Sequence, residues 1–149
     1  MTFKEKIYVR CCDLLNEKIN ALQSSLRDLG EGTENDTKSS AGDKHETARA
    51  MMQIEQEKIS KQLNEALEQK SALEKIYANI SSSQITKGSL ITTNNGYLFV
   101  SVALGKILVD EKQVIVLSPQ SPLGLKLMGL KVNDSAEING IKYSIEKID

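Results

Sequence analysis

Apolar residues in the first half of the chain recur at alternating steps of four and three. Counting from Tyr8, the steps reach Cys12, Leu15, Ile19, Leu22, Leu26 and Leu29, all apolar. This is the seam of a coiled-coil helix. The same count from Met52 reaches Gln56, Ile59, Leu63, Ala66, Lys70, Leu73, Tyr77 and Ile80, a weaker seam interrupted by Gln56 and Lys70. Between them lies Gly30-Glu-Gly-Thr-Glu-Asn-Asp-Thr-Lys-Ser-Ser-Ala-Gly42, a run of breakers and turn formers. No proline falls within residues 1–80. The pattern predicts two helices folded back as an antiparallel coiled-coil hairpin over 1–80. Residues 4–29 alone would make a rod of roughly 39 Å, at about 1.5 Å per residue.

The periodicity changes from about Ile85. Asn94-Asn95-Gly96 separates Leu90–Thr93 from Tyr97–Val102, a strand-turn-strand signal. Val114–Leu117 reads as a short buried strand ending at Ser118-Pro119. Pro122–Met128 is suited to a brief helix, with proline in its first turn and Gly129 at its end. Asn139-Gly140 joins Ser135–Ile138 to Ile141–Ile145 in a second hairpin. Four or five short strands with one small helix predict a compact α+β domain over 85–149, with Ser81-Ser82-Ser83-Gln84 as the hinge before it.

Charge and composition exclude several function classes. The 149 residues carry 19 Lys and Arg against 20 Asp and Glu, a net charge of −1, and aromatics are only 4% with no Trp. Gripping a nucleic-acid backbone unaided requires a basic excess and benefits from stacking surfaces, so no stand-alone nucleic-acid binding is expected. No apolar run approaches the roughly 18 to 20 residues of a membrane span. The charged start, Met-Thr-Phe-Lys-Glu-Lys, does not suit a signal peptide, and a cytoplasmic location is expected. Cys11 and Cys12 point about 100° apart on a helix, so they form no disulfide and read as small hydrophobes of the stem. The helical stem is balanced in charge, whereas Glu31, Glu34, Asp36, Asp43 and Glu46 face only Lys38 and Lys44 in residues 31–46. An acidic tip on a neutral stem suits the presentation of carboxylates to a cation held elsewhere, although loops are in any case rich in Asp and Glu.

Two segments carry a resemblance. Ala41-Gly42-Asp43-Lys44-His45-Glu46-Thr47-Ala48-Arg49, between the two helices, resembles the tip of the bacterial Gre transcript-cleavage factors. Ile115-Val116-Leu117-Ser118-Pro119-Gln120-Ser121-Pro122-Leu123-Gly124 resembles the C-terminal domain of the same family. Leu127-Met128-Gly129, Val132-Asn133-Asp134, Asn139-Gly140 and Tyr143–Ile148 continue the match in the same order. The resemblance implies a transcription elongation factor with an antiparallel coiled coil and an FKBP-like C-terminal domain. That domain would dock on RNA polymerase at the rim of its secondary channel. The coiled coil would enter the channel, where tip carboxylates help hold a second Mg²⁺ and stimulate the polymerase's own cleavage of backtracked RNA near its 3′ end. On this reading the protein is not itself an enzyme. The family's Asp-x-x-Glu pair falls on Asp43 and Glu46, and the loop near the rim contact falls on Ser121, Pro122, Leu123 and Gly124.

The residues also admit other readings. A three-residue spacing puts Asp43 and Glu46 on one face of a helical turn, close enough to share an ion. The same Asp-x-x-Glu spacing at a helix start is a capping-box signature. The family continues Glu-Asn-Ala-(Glu or Asp)-Tyr, whereas this chain continues Glu46-Thr47-Ala48-Arg49-Ala50. Arg49 places a cation where the family has an acid, which opens a second function: a regulator that occupies the channel without promoting cleavage. His45, alone among histidines, reads as solvated. A prolyl isomerase is the enzymatic alternative that an FKBP-like fold suggests. Its pocket would have to be built from Tyr97, Phe99 and Tyr143, and fold by itself does not carry function.

Overall fold

A computed structural model describes the backbone of residues 1–39, 43–76 and 81–149, and the side chains of these except 31–45. Two helices, α1 (Phe3–Ser39) and α2 (Asp43–Ile76), precede six strands and a short third helix. Met1–Cys12 and Ser71–Asp149 form one compact unit, and Asp13–Lys70 form the other. Because α1 leaves the first unit and α2 returns to it, the two helices run antiparallel.

A capping box sets the start of α1. The Glu5 N–H donates to Thr2 Oγ1 at 3.1 Å, and the Thr2 N–H donates to Glu5 Oε2 at 3.3 Å. The helix does not stop at Leu29 as the breaker-rich stretch predicts; it continues to Ser39. Gly30 and Gly32 each cost about 1 kcal/mol relative to alanine, but with no proline present the helix is extended one hydrogen bond at a time from a long existing nucleus. In the Asp13–Lys70 unit, Leu15 and Ile19 are buried on α1, and Ile59 and Ala66 on α2. Both sets lie on the predicted seams, and Gln56 and Lys70 of the second seam are half-buried. Tyr77 and Ile80 lie outside the described residues. At the base of α1 the seam is displaced: Ile7 and Cys11 are fully buried, while Tyr8 and Cys12 are only half-buried. Ile7, Cys11, Leu15 and Ile19 are spaced by four residues, a stripe that drifts around the helix and leaves the 3.5-residue seam.

Burial pushes the Cys11 thiol up to about 12 from its ordinary 9.0, with Cys12 adding to the rise and Arg10 partly opposing it. The unfolded chain therefore loses this proton before the folded chain does. Stability present below pH 9 is lost as pH rises towards 12, and a Cys11→Ala variant lacks that loss. Urea titrations of the two proteins between pH 8 and 11 should diverge accordingly. Parallel curves would contradict the burial of this thiol.

The strands are β1 (Leu90–Thr93), β2 (Gly96–Val100), β3 (Gly105–Val109), β4 (Lys112–Leu117), β5 (Ser135–Ile138) and β6 (Ile141–Ile148), with α3 (Pro122–Leu127) between β4 and β5. They form one sheet in the order β3-β4-β2-β1-β6-β5. The sheet is antiparallel except for β2 and β4, which pair in parallel from Tyr97↔Val114 to Val100↔Leu117. The fold is α+β as the pattern predicts, a mostly antiparallel sheet with one short helix, with six strands where the pattern predicts four or five. The extra strand and the one parallel pairing have one cause. After β2 the chain swings past an empty position to form β3 at the edge, then returns through a hairpin into β4 beside β2. The β3–β4 turn is Asp110-Glu111, with both residues at positive φ of 51° and 63°. That is the backbone of a type I′ hairpin without the Asn or Gly that normally announces it.

The remaining hairpins follow their turn residues. Asn139 and Gly140 adopt φ of 52° and 78°, as a type I′ turn requires. In the β1–β2 hairpin, Thr93 Oγ1 donates to the Gly96 carbonyl at 2.7 Å and accepts from the Asn95 N–H at 3.1 Å. Asn94 Oδ1 accepts from the Ser144 N–H at 2.7 Å, and Asn95 Nδ2 donates to the Lys142 carbonyl at 2.7 Å. This turn therefore also fastens β1 to β6. On one face of the sheet Ile91, Leu98, Val100, Tyr143 and Ile145 pack with Leu127 of α3 and Ile85. Alternation sends Leu90, Phe99, Val114 and Val116 to the other face, where they too are buried. The helix bases in the same unit contribute buried Ile7, Cys11, Leu73 and Ile76. Each fully buried side chain of this kind is worth about 1.5–3 kcal/mol.

Ser101, directly after β2, is 3% exposed, and its hydroxyl has no hydrogen-bond partner among the described residues. Burying an unpaired hydroxyl is unfavourable. Ser101→Ala should raise stability by about 1 kcal/mol in urea unfolding, and a loss would mean that the hydroxyl is in fact satisfied.

Candidate functional site

At the turn between the helices, α2 begins at Asp43, so Asp43 and Glu46 share its first turn. Glu46 is exposed, and so is Arg49 three residues further on. The side chains of Asp43 and His45, and the structure of Ala41 and Gly42, lie outside the described residues. Whether Asp43 caps the helix or faces outward therefore rests on the sequence. Among the described residues no group of three or more His, Cys, Asp or Glu could hold a metal ion. Two carboxylates on one turn fit Mg²⁺ only as partial ligands, since Mg²⁺ accepts one or two protein carboxylates when other donors and waters complete its octahedron.

The second predicted element is the loop into α3. Ser118 organises it. Its Oγ accepts from the Gln120 N–H at 3.1 Å, and its carbonyl accepts from the Ser121 N–H at 3.0 Å and from Ser121 Oγ at 2.7 Å. Ser121 is the N-cap of α3, its Oγ accepting from the Gly124 N–H at 3.0 Å, and Pro122 occupies the first turn. Gly124 is buried, and a Cβ there would overlap the Ser118 carbonyl and come within 2.9 Å of Pro119. Leu123 packs partly buried against the core. The geometry thus gives Ser121, Pro122, Leu123 and Gly124 structural roles in closing the loop on α3. Of the four, only Pro122 is exposed. The apolar surface nearby comes from residues that sequence reasoning did not assign to a contact: Leu125 at 67% exposure, with Met128 and Val132. Within α3, Leu125 lies about 200° around the helix from buried Leu127, which turns its side chain outward.

A third cluster surrounds the start of α1. The rings of Phe3 and Tyr97 meet edge-on, with centroids 5.0 Å apart and planes at 67°. Lys112 Nζ lies 5.0 Å from the Phe3 centroid and 5.8 Å from that of Tyr97. Lys6 Nζ pairs with Asp110 Oδ2 at 2.9 Å. No local sequence signal links these residues, because they are brought together by the fold. The aromatic trio needed for an isomerase pocket does not assemble. Tyr143 belongs to the core under α3, whereas Tyr97 and Phe99 point to the opposite face of the sheet.

The class of protein is therefore an antiparallel helical hairpin coupled in sequence to a six-stranded mixed sheet with one short helix. No protein-family model matches the chain, and no curated protein matches it. Among solved structures, it is similar to the GreA factor homolog 1 (Gfh1) protein of Thermus thermophilus, at 18% identity and a TM-score of 0.36, covering 95% of this chain and 94% of that chain. No helix among the described residues is long and apolar enough to cross a membrane.

Proposed function

We propose that the protein is a Gre-like transcription elongation factor that binds RNA polymerase at its secondary channel. There it uses Asp43 and Glu46 to stimulate Mg²⁺-dependent cleavage of backtracked RNA. The observation that carries this reading is the placement of Asp43 and exposed Glu46 in the first turn of α2, the second of two consecutive helices of 37 and 34 residues. The ordered match of residues 41–49 and 115–148 to the Gre pattern supports it. In this role Asp43 and Glu46 would be partial ligands of Mg²⁺, which when bound lowers the pKa of its water and stabilises the oxygens of the phosphodiester. The chain's own task is positional. Its stem brings two carboxylates into a site whose other donors belong to the polymerase, and its sheet unit holds the stem in place.

Exposed Arg49 favours a second reading, a regulator that occupies the channel without stimulating cleavage. A guanidinium one turn from Glu46 competes with a cation for the carboxylates. Pull-down with the host's RNA polymerase, followed by RNA 3′-end cleavage in backtracked complexes with Mg²⁺, separates the two. Binding with accelerated cleavage is expected. Binding without it would replace the first reading by the second, and no binding would end both.

A further inference from the structure

The cleft beside the start of α1 has a volume of about 630 Å³, and the turn carboxylates have no part in it. Its size lies within the roughly 300–1,000 Å³ of small-ligand sites. Three cations converge on it, Lys4, Lys112 and Lys147, in a chain whose net charge is −1. The aromatic wall is the half-buried pair of Phe3 and Tyr97, which Lys112 already overlies. The positive end of the 37-residue α1 opens on the same place. Asp149 opposes the lysines: Lys147 Nζ lies 3.4 Å from Asp149 Oδ2, and Lys4 Nζ donates to the main-chain oxygen of Asp149 at 3.0 Å. Burial depresses the Lys4 ammonium, and the negative charge of Asp149 partly opposes that shift.

We propose that this cleft binds a mononucleotide, with its phosphates on Lys4, Lys112 and Lys147 and its base against Tyr97 and Phe3. Cations alone would suit any small phosphate. The aromatic pair within the same wall selects one that carries a planar ring, because base stacking and cation–π contacts use the faces that a bare phosphate leaves uncovered. The carboxylate of Asp149 closes one side and disfavours a continuous polyanion such as RNA. This site does not depend on polymerase binding, and its test uses the protein alone.

The probes are ATP, adenosine and pyrophosphate, each titrated into the full-length protein without metal and followed by amide chemical shifts. ATP should bind with shifts confined to residues 2–4, 90–97, 112 and 147–149, and more tightly than pyrophosphate or adenosine. Lys112→Ala and Tyr97→Leu should each weaken it about tenfold, the second at unchanged far-UV circular dichroism. Asp149→Asn should tighten it severalfold, a gain that damage to the fold cannot mimic, while the Lys4 contact to the main-chain oxygen of residue 149 is kept. Absence of ATP binding at millimolar concentration, pyrophosphate binding as tightly as ATP, or indifference to Asp149→Asn would each overturn the proposal.

Discussion

Replacing Gly124 by alanine should cost the sheet unit about 3 kcal/mol. The new Cβ would overlap the carbonyl oxygen of Ser118 and crowd the backbone of Pro119. Backbone atoms cannot swing aside as a side chain can, so the strain falls on the loop itself. Overpacking of this kind costs about 1–3 kcal/mol. The Ser118 carbonyl is also the acceptor for both the N–H and the hydroxyl of Ser121, and Ser121 Oγ caps α3 through the Gly124 N–H. Moving Ser118 therefore loosens the cap, which is worth about 0.5–2 kcal/mol by itself. Thermal unfolding should show the loss as a fall in Tm of more than about 10 °C, at about 4–8 °C per kcal/mol for a domain this small. Ser121→Ala should cost about 1 kcal/mol, and exposed Leu125→Ala close to nothing. A Gly124→Ala protein as stable as the parent would mean that the loop closes differently from the arrangement described.

Gly124 also shows how a residue picked out for a partner contact can have a sufficient structural reason. The Ser-Pro-x-Ser-Pro-Leu-Gly run is legible because each residue has one local job: ring at the helix start, hydroxyl at the cap, absent side chain at the close approach. Such jobs leave strong marks in sequence whether or not a partner touches the loop. The hairpins at Asn94-Asn95-Gly96 and Asn139-Gly140 are equally legible, because positive φ at Gly96, Asn139 and Gly140 restricts the choice of residue. Strand β3 is not. Its turn, Asp110-Glu111, takes positive φ with residues that do not advertise it, and the Val114–Leu117 run of its partner β4 reads by itself as a short buried strand. The parallel pairing of β2 and β4 follows from β3, so missing one concealed the other.

The helices show a different limit. Heptad counting located the seams of the Asp13–Lys70 unit, including the half-buried polar positions Gln56 and Lys70, because packing of one helix on another has the period that the count assumes. It misplaced the base, where Ile7 and Cys11 are buried and Tyr8 and Cys12 only partly so. That segment belongs to the sheet unit, and a surface other than a partner helix imposes no heptad. The length of α1 was misjudged for another reason. Glycine marks a helix end only where the chain must leave the helix, and Gly30 and Gly32 are carried within it. Thr2 and Glu5 form a capping box at the start of α1, a signal to which heptad counting is blind. The cluster of Phe3, Tyr97 and Lys112 had no such signal, since residues far apart in sequence leave no joint pattern in a single chain.

Asp43→Asn and Glu46→Gln should each reduce stimulated RNA cleavage on the order of 10–100-fold, the range seen when a carboxylate supporting a metal site is lost. Asparagine is as good an N-cap as aspartate, so Asp43→Asn removes charge while preserving any capping role. If Asp43 serves only as a cap, cleavage survives Asp43→Asn and falls with Glu46→Gln alone. Glu46 is exposed, so its substitution should leave stability within about 0.5 kcal/mol and polymerase affinity unchanged. The informative third variant is Arg49→Glu, which restores the sign of charge that the Gre pattern has at this position. Two charges one helical turn apart interact by on the order of 1 kcal/mol in a solvated setting, so reversing Arg49 should raise cleavage severalfold if the carboxylates serve Mg²⁺. A channel-occupying regulator would respond differently. It would show no stimulated cleavage with Arg49 in place, and its inhibition of RNA synthesis would weaken in Arg49→Glu if the guanidinium were what holds the tip against phosphates. The direction of change in that one variant therefore distinguishes a tip that delivers charge to a metal from a tip that blocks the path.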